Sequence, residues 1–255
     1  MADFRVENTT LTDSPRTMGD EPFVYQHMRV RSLCLPELAA HIAVAAAAAR
    51  EIFGIEFRPD LRQTDSLCRR MLLQNRYPQE LSSCIEMRLF ASGRTEYRCG
   101  EIFAHSGLMF SEIRPQAMVV HYDIPFGDMP SSVRLEAHRA AMAVARRQGF
   151  RTVVRCNAQG YVLTAGDSPL FALFGRRIVT PVTHPSVERD RVVRAAAKAG
   201  YALAEEALEV AALRNADEIF YSDCRGITAL SECDGRTLAD IIARRIAENL
   251  ETQNF

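Results

Sequence analysis

Between residues 160 and 236 the chain reads Gly160-Tyr161-Val162, Ile178-Val179-Thr180-Pro181, His184-Pro185-Ser186-Val187-Glu188-Arg189, Ala216-Asp217-Glu218-Ile219-Phe220, Arg225-Gly226-Ile227 and Asp234-Gly235-Arg236. The spacing predicts short strands over 152–156, 161–164, 170–174 and 178–180, with turns at 157–160 and 175–177. A helix is expected over 187–199, stopped by Gly200. Strands over 218–222 and 227–231 and a final helix over 237–250 complete this half.

Working outward toward the amino terminus, Ser132 is placed to cap a helix running to 148, with Gly149 as its terminator. The stretch Asp123-Ile-Pro-Phe-Gly-Asp-Met-Pro130 carries two prolines and a glycine, which a regular element does not tolerate, and reads as a linker. Before it come a strand over 117–122 and a hairpin, 83–91 and 95–104, turned by Ser92-Gly93. Helices are expected over 59–74 and over 37–53, the latter opened by Pro36 and closed by Gly54. Residues 23–31 alternate in the period of a strand. The polar first 22 residues, with Pro15 and Gly19, read as an arm. The expected organisation is an arm (1–22), a smaller α+β domain (23–122), a linker (123–131) and a larger α+β domain (132–255).

The bulk properties exclude several classes. The 255 residues are 47% hydrophobic and 25% charged, with a formal net charge of −1, so neither a nucleic acid nor an anionic membrane is an expected partner. No apolar run reaches spanning length, and the amino terminus lacks the basic-then-apolar pattern of a signal. The seven cysteines show no metal-ligand spacing and are expected to be reduced, which fits a cytoplasmic protein; no metal site is expected. Lys198 is the only lysine among 31 basic residues.

The six segments of the carboxyl-terminal half, in this order, resemble the class IV aminotransferases, which include branched-chain and D-amino acid transaminases and 4-amino-4-deoxychorismate lyase. The family has Gly-x-Val, a strand ending in Thr-Pro, Leu-Pro-Gly-Ile-Thr-Arg and Ala-Asp-Glu-Val-Phe where this chain has its own versions. The resemblance implies the two-domain α+β architecture of fold-type IV (D-amino acid aminotransferase-like), with a barrel-like sheet in the larger domain. It also implies a homodimer.

It further implies where the chemistry of pyridoxal phosphate would sit, and there the chain departs from the family. The lysine position, counted back from Ala145 and Gly149, falls on Ser131, or on Ser132 with one residue of slip, and neither serine forms an imine. The acid expected against the ring nitrogen falls on Thr164. The phosphate arginine of a His-x-x-Arg pattern beginning at His41 falls on Val44. The Gly-Ile-Thr helix start falls on Ser186-Val187-Glu188, placing a carboxylate where the family holds a phosphate. The last phosphate contact falls near Asp223 and Cys224. Arg189 and Arg225 are candidates for binding a small anionic ligand, or for pairing within the protein. The expectation drawn from these substitutions is a relative without a catalytic residue and without a cofactor, binding a ligand or partner. The alternatives are an active pyridoxal-phosphate aminotransferase or aminodeoxychorismate lyase-like enzyme, and a cofactor-independent enzyme reusing the same cleft.

Overall fold

A computed structural model describes residues 3–13, 20–103 and 109–250. The chain divides into two compact units: residues 1–106 with 129–132, and residues 107–128 with 133–255. The division falls before the strand at 116, so that strand belongs to the second unit rather than to the 23–122 block that sequence pattern suggests. Pro15 and Gly19 lie outside the described residues.

The first unit holds β1 (Arg5–Glu7), β2 (Thr10–Thr12), β3 (Phe23–Val30), α1 (Leu38–Phe53), α2 (Leu61–Gln74), β4 (Ser82–Phe90) and β5 (Thr95–Phe103). The strands form one antiparallel sheet in the order β2-β1-β5-β4-β3. Val24, Met28, Ile85, Met87, Leu89 and Tyr97 pack with Ala45, Ala48 and Ala49 of α1 and Leu67, Met71 and Leu72 of α2. Alanines let α1 approach the sheet closely. It ends at Gly54, whose φ of 69° lets its N–H reach Arg50 O at 3.0 Å. α2 starts at Asp60, whose carboxylate accepts from the N–H groups of Arg62 and Gln63.

The expected amino-terminal arm is in part sheet. β1 and β2 make a hairpin beside β5, and Val6 is 1% exposed. Three-residue strands are too short to leave a period-two signature, so composition alone reads them as tail.

The second unit holds β6 (Gln116–His121), α3 (Ser132–Arg147, whose first residue belongs to the first unit), β7 (Thr152–Cys156), β8 (Val162–Ala165), β9 (Ser168–Phe174), β10 (Arg177–Thr180), α4 (Val187–Lys198), β11 (Ala202–Glu205), a 3-10 turn (Val210–Asn215), β12 (Glu218–Asp223), β13 (Gly226–Ala229), β14 (Glu232–Cys233), β15 (Arg236–Thr237) and α5 (Ile241–Leu250). The mixed sheet runs β11-β10-β9-β8-β7-β6-β14-β15, with β12 and β13 joined through β9. One core cluster lies under α4 and α5 and includes Phe171, Leu173, Phe220, Val192, Ala195, Ala243 and Ile246. Another contains Val154, Val162, Leu170, Ala172, Val179 and Ile219.

The last helix begins four residues later than sequence predicts, because Arg236 and Thr237 pair with β14. Its start is held from a distance. Glu218, 2% exposed, accepts hydrogen bonds from Ile242 N at 2.9 and 3.1 Å and from Ala243 N at 2.9 Å. Asp217 beside it accepts from Gly175 N at 2.6 Å, closing the β9–β10 turn. Both acids of the Ala216–Phe220 segment therefore serve the fold. Glu218→Ala removes a buried, charge-assisted cap and should cost roughly 2–3 kcal/mol, read as a fall in the urea midpoint with an unchanged slope.

All seven cysteines are free. Burial pushes Cys99 and Cys156 up to about 11 and Cys233 up to about 12, so these thiols stay protonated at neutral pH. Among the described residues, no helix is long and apolar enough to cross a membrane, and no group of side chains is arranged to hold a metal ion.

Candidate functional site

Strand direction gathers the site at one end of the second unit. β8, β10 and β12 each run antiparallel to β9, and β11 runs parallel to β10. These four strands therefore end together, at the end where β9 begins. α4 links the parallel strands β10 and β11, so it runs back against them and starts at that same end. Carboxyl ends of strands beside a helix amino terminus are where open α/β layers place polar ligands.

Register makes the placement finer. Thr164 stands opposite Pro169, and Tyr221 opposite Leu170. The ends of β8 and β12 thus meet the same step of β9. Thr180, at the end of β10, donates its hydroxyl to Leu170 O at 2.8 Å.

Of the residues singled out from sequence, Thr164, Glu188, Arg189, Asp223, Cys224 and Arg225 belong to this end. Thr164 is 3% exposed and donates to Gly166 O at 3.1 Å. Ser186 caps α4 by accepting from Arg189 N at 3.3 Å, and its own hydroxyl donates to Glu188 Oε2 at 2.9 Å. Arg189, 6% exposed, donates to Thr183 O and Thr183 Oγ1 and lies 2.7 Å from Glu205 Oε1 at the end of β11. Arg225 donates its backbone N–H and its guanidinium to Asp223. Burial opposes the charge on Arg225, but the hydrogen bond and the charge of Asp223 outweigh it and hold the guanidinium above its usual range. Cys224 is 8% exposed, in the turn between β12 and β13. Both arginines are therefore engaged by carboxylates of the chain itself.

Val44 and Ser131 belong to the first unit. Val44 is half-buried on α1. One turn earlier His41 is fully buried with Nδ1 2.9 Å from Gln26 Oε1, a core histidine in a hydrogen bond. Ser131 is 3% exposed and bridged to Val24, and the hydroxyl of its neighbour Ser132 accepts from Phe23 N at 3.3 Å. Lys198 is exposed at the last turn of α4. Twelve helical residues, about 18 Å of rise, separate it from the end where Ser186 stands.

Two residues at this end escape a sequence reading. Ser222 is 0% exposed, and its hydroxyl has no hydrogen-bond partner among the described residues. Arg155 of β7 stands directly opposite Thr164, is 3% exposed, and is ion-paired with Asp128. Only register could have found them.

The second unit is thus a mixed sheet with a helix amino terminus at its polar end, and the first is an antiparallel sheet packed with two helices. The model of the family described as amino-transferase class IV matches residues 24–232, and the chain belongs to that family. Its fold is the α+β fold shared by solved members. A fold IV-transaminase, CpuTA1, from Curtobacterium pusillum is 16% identical, with 98% of this chain and 99% of that one covered and a TM-score of 0.80. A branched-chain aminotransferase from Thermoproteus uzoniensis, solved with norvaline, is 17% identical over 97% of this chain and 93% of that one, with a TM-score of 0.81. An aminotransferase from Brucella abortus bound to PLP is 19% identical over 98% of both chains, with a TM-score of 0.80. None of the curated proteins matches the chain.

These relatives correct one expectation. The substitutions at Ser131, Thr164, Val44 and Glu188 suggest a protein without a cofactor, but the chain shares its family and fold with a protein solved with pyridoxal phosphate bound, which points to that compound as the family's cofactor. Substituted side chains are a weak guide here, because much of a phosphate's binding comes from backbone N–H groups at a helix start, and α4 keeps that start. An imine-linked cofactor is a separate matter. The only lysine is exposed at the far end of α4, so the residues present do not fit a covalent link at this end.

Proposed function

We propose that this protein takes pyridoxal phosphate as a dissociable ligand, held without a lysine imine, and that it does not carry out conventional transamination. One observation carries the reading: the single lysine of the chain stands at the carboxyl end of α4, and the family resemblance supports Ser131 as the position where its members have a lysine. The lysine amine captures the aldehyde and also moves the proton, and a buried hydroxyl does neither. When bound, pyridoxal phosphate supplies an electron sink for amino-acid chemistry. Here Thr164 can only hydrogen-bond at the acid position, and it carries no charge to hold a ring nitrogen protonated. The backbone N–H groups of the first turn of α4 are the donors that would hold a phosphate, with the Glu188 carboxylate beside them. The family resemblance also supports a homodimer, expected at twice the 28.6 kDa chain mass in sedimentation.

The test is borohydride reduction after mixing with pyridoxal phosphate. The expected result is a spectrum that returns to that of the free protein on gel filtration, with no stoichiometric reduced adduct at Lys198, the one lysine amine of the chain. A stoichiometric adduct at Lys198 would overturn the absence of an imine. Failure to bind at millimolar ligand would overturn the ligand.

A further inference from the structure

α3 is the helix that the core leaves out. α1, α2, α4 and α5 each bury four or more residues, whereas the sixteen residues of α3 bury one, Ala145. No described residue of α3 belongs to a core cluster of either unit. What holds the helix is largely polar. Arg134 donates to Asp167 Oδ1 at 2.6 Å and to Asp167 O at 2.8 Å, and His138, one turn on, stands beside Gly166. Arg134, His138 and Ala145 mark the inner side of the helix.

An apolar line of Val133, Ala137, Ala140 and Val144 runs about 110° round the helix from that side. Val133 is 37% exposed and Val144 49%, Ala140 is exposed and Ala137 half-buried. Steps of four, three and four residues are those of a seam between two packed helices. The line also reads the same in both directions. A two-fold axis across the helix, midway between residues 138 and 139, exchanges Val133 with Val144 and Ala137 with Ala140. An interface between two identical chains requires this self-complementarity. The central alanines let two helix axes approach closely, and the valines fill the ends.

The charges beside the line obey the same axis. Glu136 and Arg139, each more than half exposed, lie on one flank and pair with each other within the helix. In an antiparallel pair like flanks meet. Glu136 then stands about 3 Å, measured along the helix, from the level of Arg139 in the other copy, within reach of that long side chain.

We propose that α3 is the self-association helix of this protein, and that the occupant of its open face is α3 of a second copy, packed antiparallel about that axis. The assignment of α3 rests on the homodimer reading above and names the surface that reading needs.

The test is sedimentation velocity on the full chain at micromolar concentration. Val133→Glu and Val144→Arg each set a charge against a valine of the other copy, and each enters the interface twice. Either alone should weaken the dimer about a hundredfold. An acid in the first turn and a base near the last suit the helix dipole, so neither change opposes folding, which circular dichroism verifies. Mixing the two variants in equal amounts should restore a dimer, because the new carboxylate of one chain faces the new guanidinium of the other. The chain carrying both substitutions should dimerise as well. Within one chain the two positions are about 16 Å apart, so only a second copy can pair them. Both rescues should fade at about 1 M salt. Dimers of native strength in both single variants overturn the assignment of α3 and leave the homodimer reading in place, as does a mixture that dimerises no better than its components. A native chain that sediments at 28.6 kDa throughout sinks both. Hydrogen exchange gives a reading without substitutions: in the native chain, protection of the α3 amides should fall on dilution through the dissociation range, and constant protection there also overturns the assignment.

Discussion

Arg155→Met is expected to destabilise the protein by about 3–5 kcal/mol, the cost of stranding a buried charge. Arg155 is 3% exposed and its carboxylate partner Asp128 is 15% exposed at the side chain. The guanidinium also lies 5.6 Å from the ring centre of Tyr122. Burial depresses the tendency of Arg155 to hold its proton, and Tyr122 and Asp167 act against that. Remove the arginine and Asp128 keeps its desolvation without its counter-charge. Asp128→Leu alone should be comparably harmful. The double variant should recover most of the loss, because an apolar pair of similar volume needs no compensation. Chemical denaturation of the two single variants and the double variant measures this. Additive losses would show that Arg155 and Asp128 are not coupled. Since Arg155 stands opposite Thr164 in the β7–β8 register, the same variant should also disturb the polar end of the sheet.

Gly226→Ala is expected to cost about 3–4 kcal/mol, for two reasons that add. Gly226 has a φ of 124°, a conformation that L side chains rarely adopt and that costs of order 1–3 kcal/mol. A Cβ there would also lie 2.3 Å from Met109 O and 2.7 Å from Met109 C, both backbone atoms. The contact is tight because residues 109–111 pair alongside β13, with Ile227 N donating to Met109 O at 2.8 Å and Ser111 N to Ile227 O at 2.9 Å. Relieving the clash means pushing that segment away and weakening both bonds. Amide exchange should report it locally: the N–H groups of Ile227 and Ser111 should lose protection first. Retention of their protection with only a uniform drop would point to strain without displacement.

Gly226 lies in a segment quoted above for its family spacing, yet the reason for a glycine there is Met109, more than a hundred residues away in sequence. The same holds for Glu218, which sequence reads as part of a motif and the fold uses to cap α5 across 24 residues. Elements with local causes were legible: Gly54 ending α1 and the Ser92-Gly93 turn. The amino-terminal hairpin and the place of β6 were not. Pairing partners decide both, and pairing leaves no trace in a three-residue strand.

The chemistry divides in the same way. By itself the sequence determined that one lysine exists, that position 131 is a serine, and where most of the strands, turns and helices fall. Those facts follow from residue identity and local periodicity, which need no coordinates. The tertiary structure decided which side chains meet. It put the ends of β8, β10, β11 and β12 at the end where α4 starts, committed Arg189 to Glu205 and Arg225 to Asp223, and left the Ser222 hydroxyl buried without a partner among the described residues. Strand direction and register, set by long-range pairing, fix those meetings, and no window of sequence contains both partners.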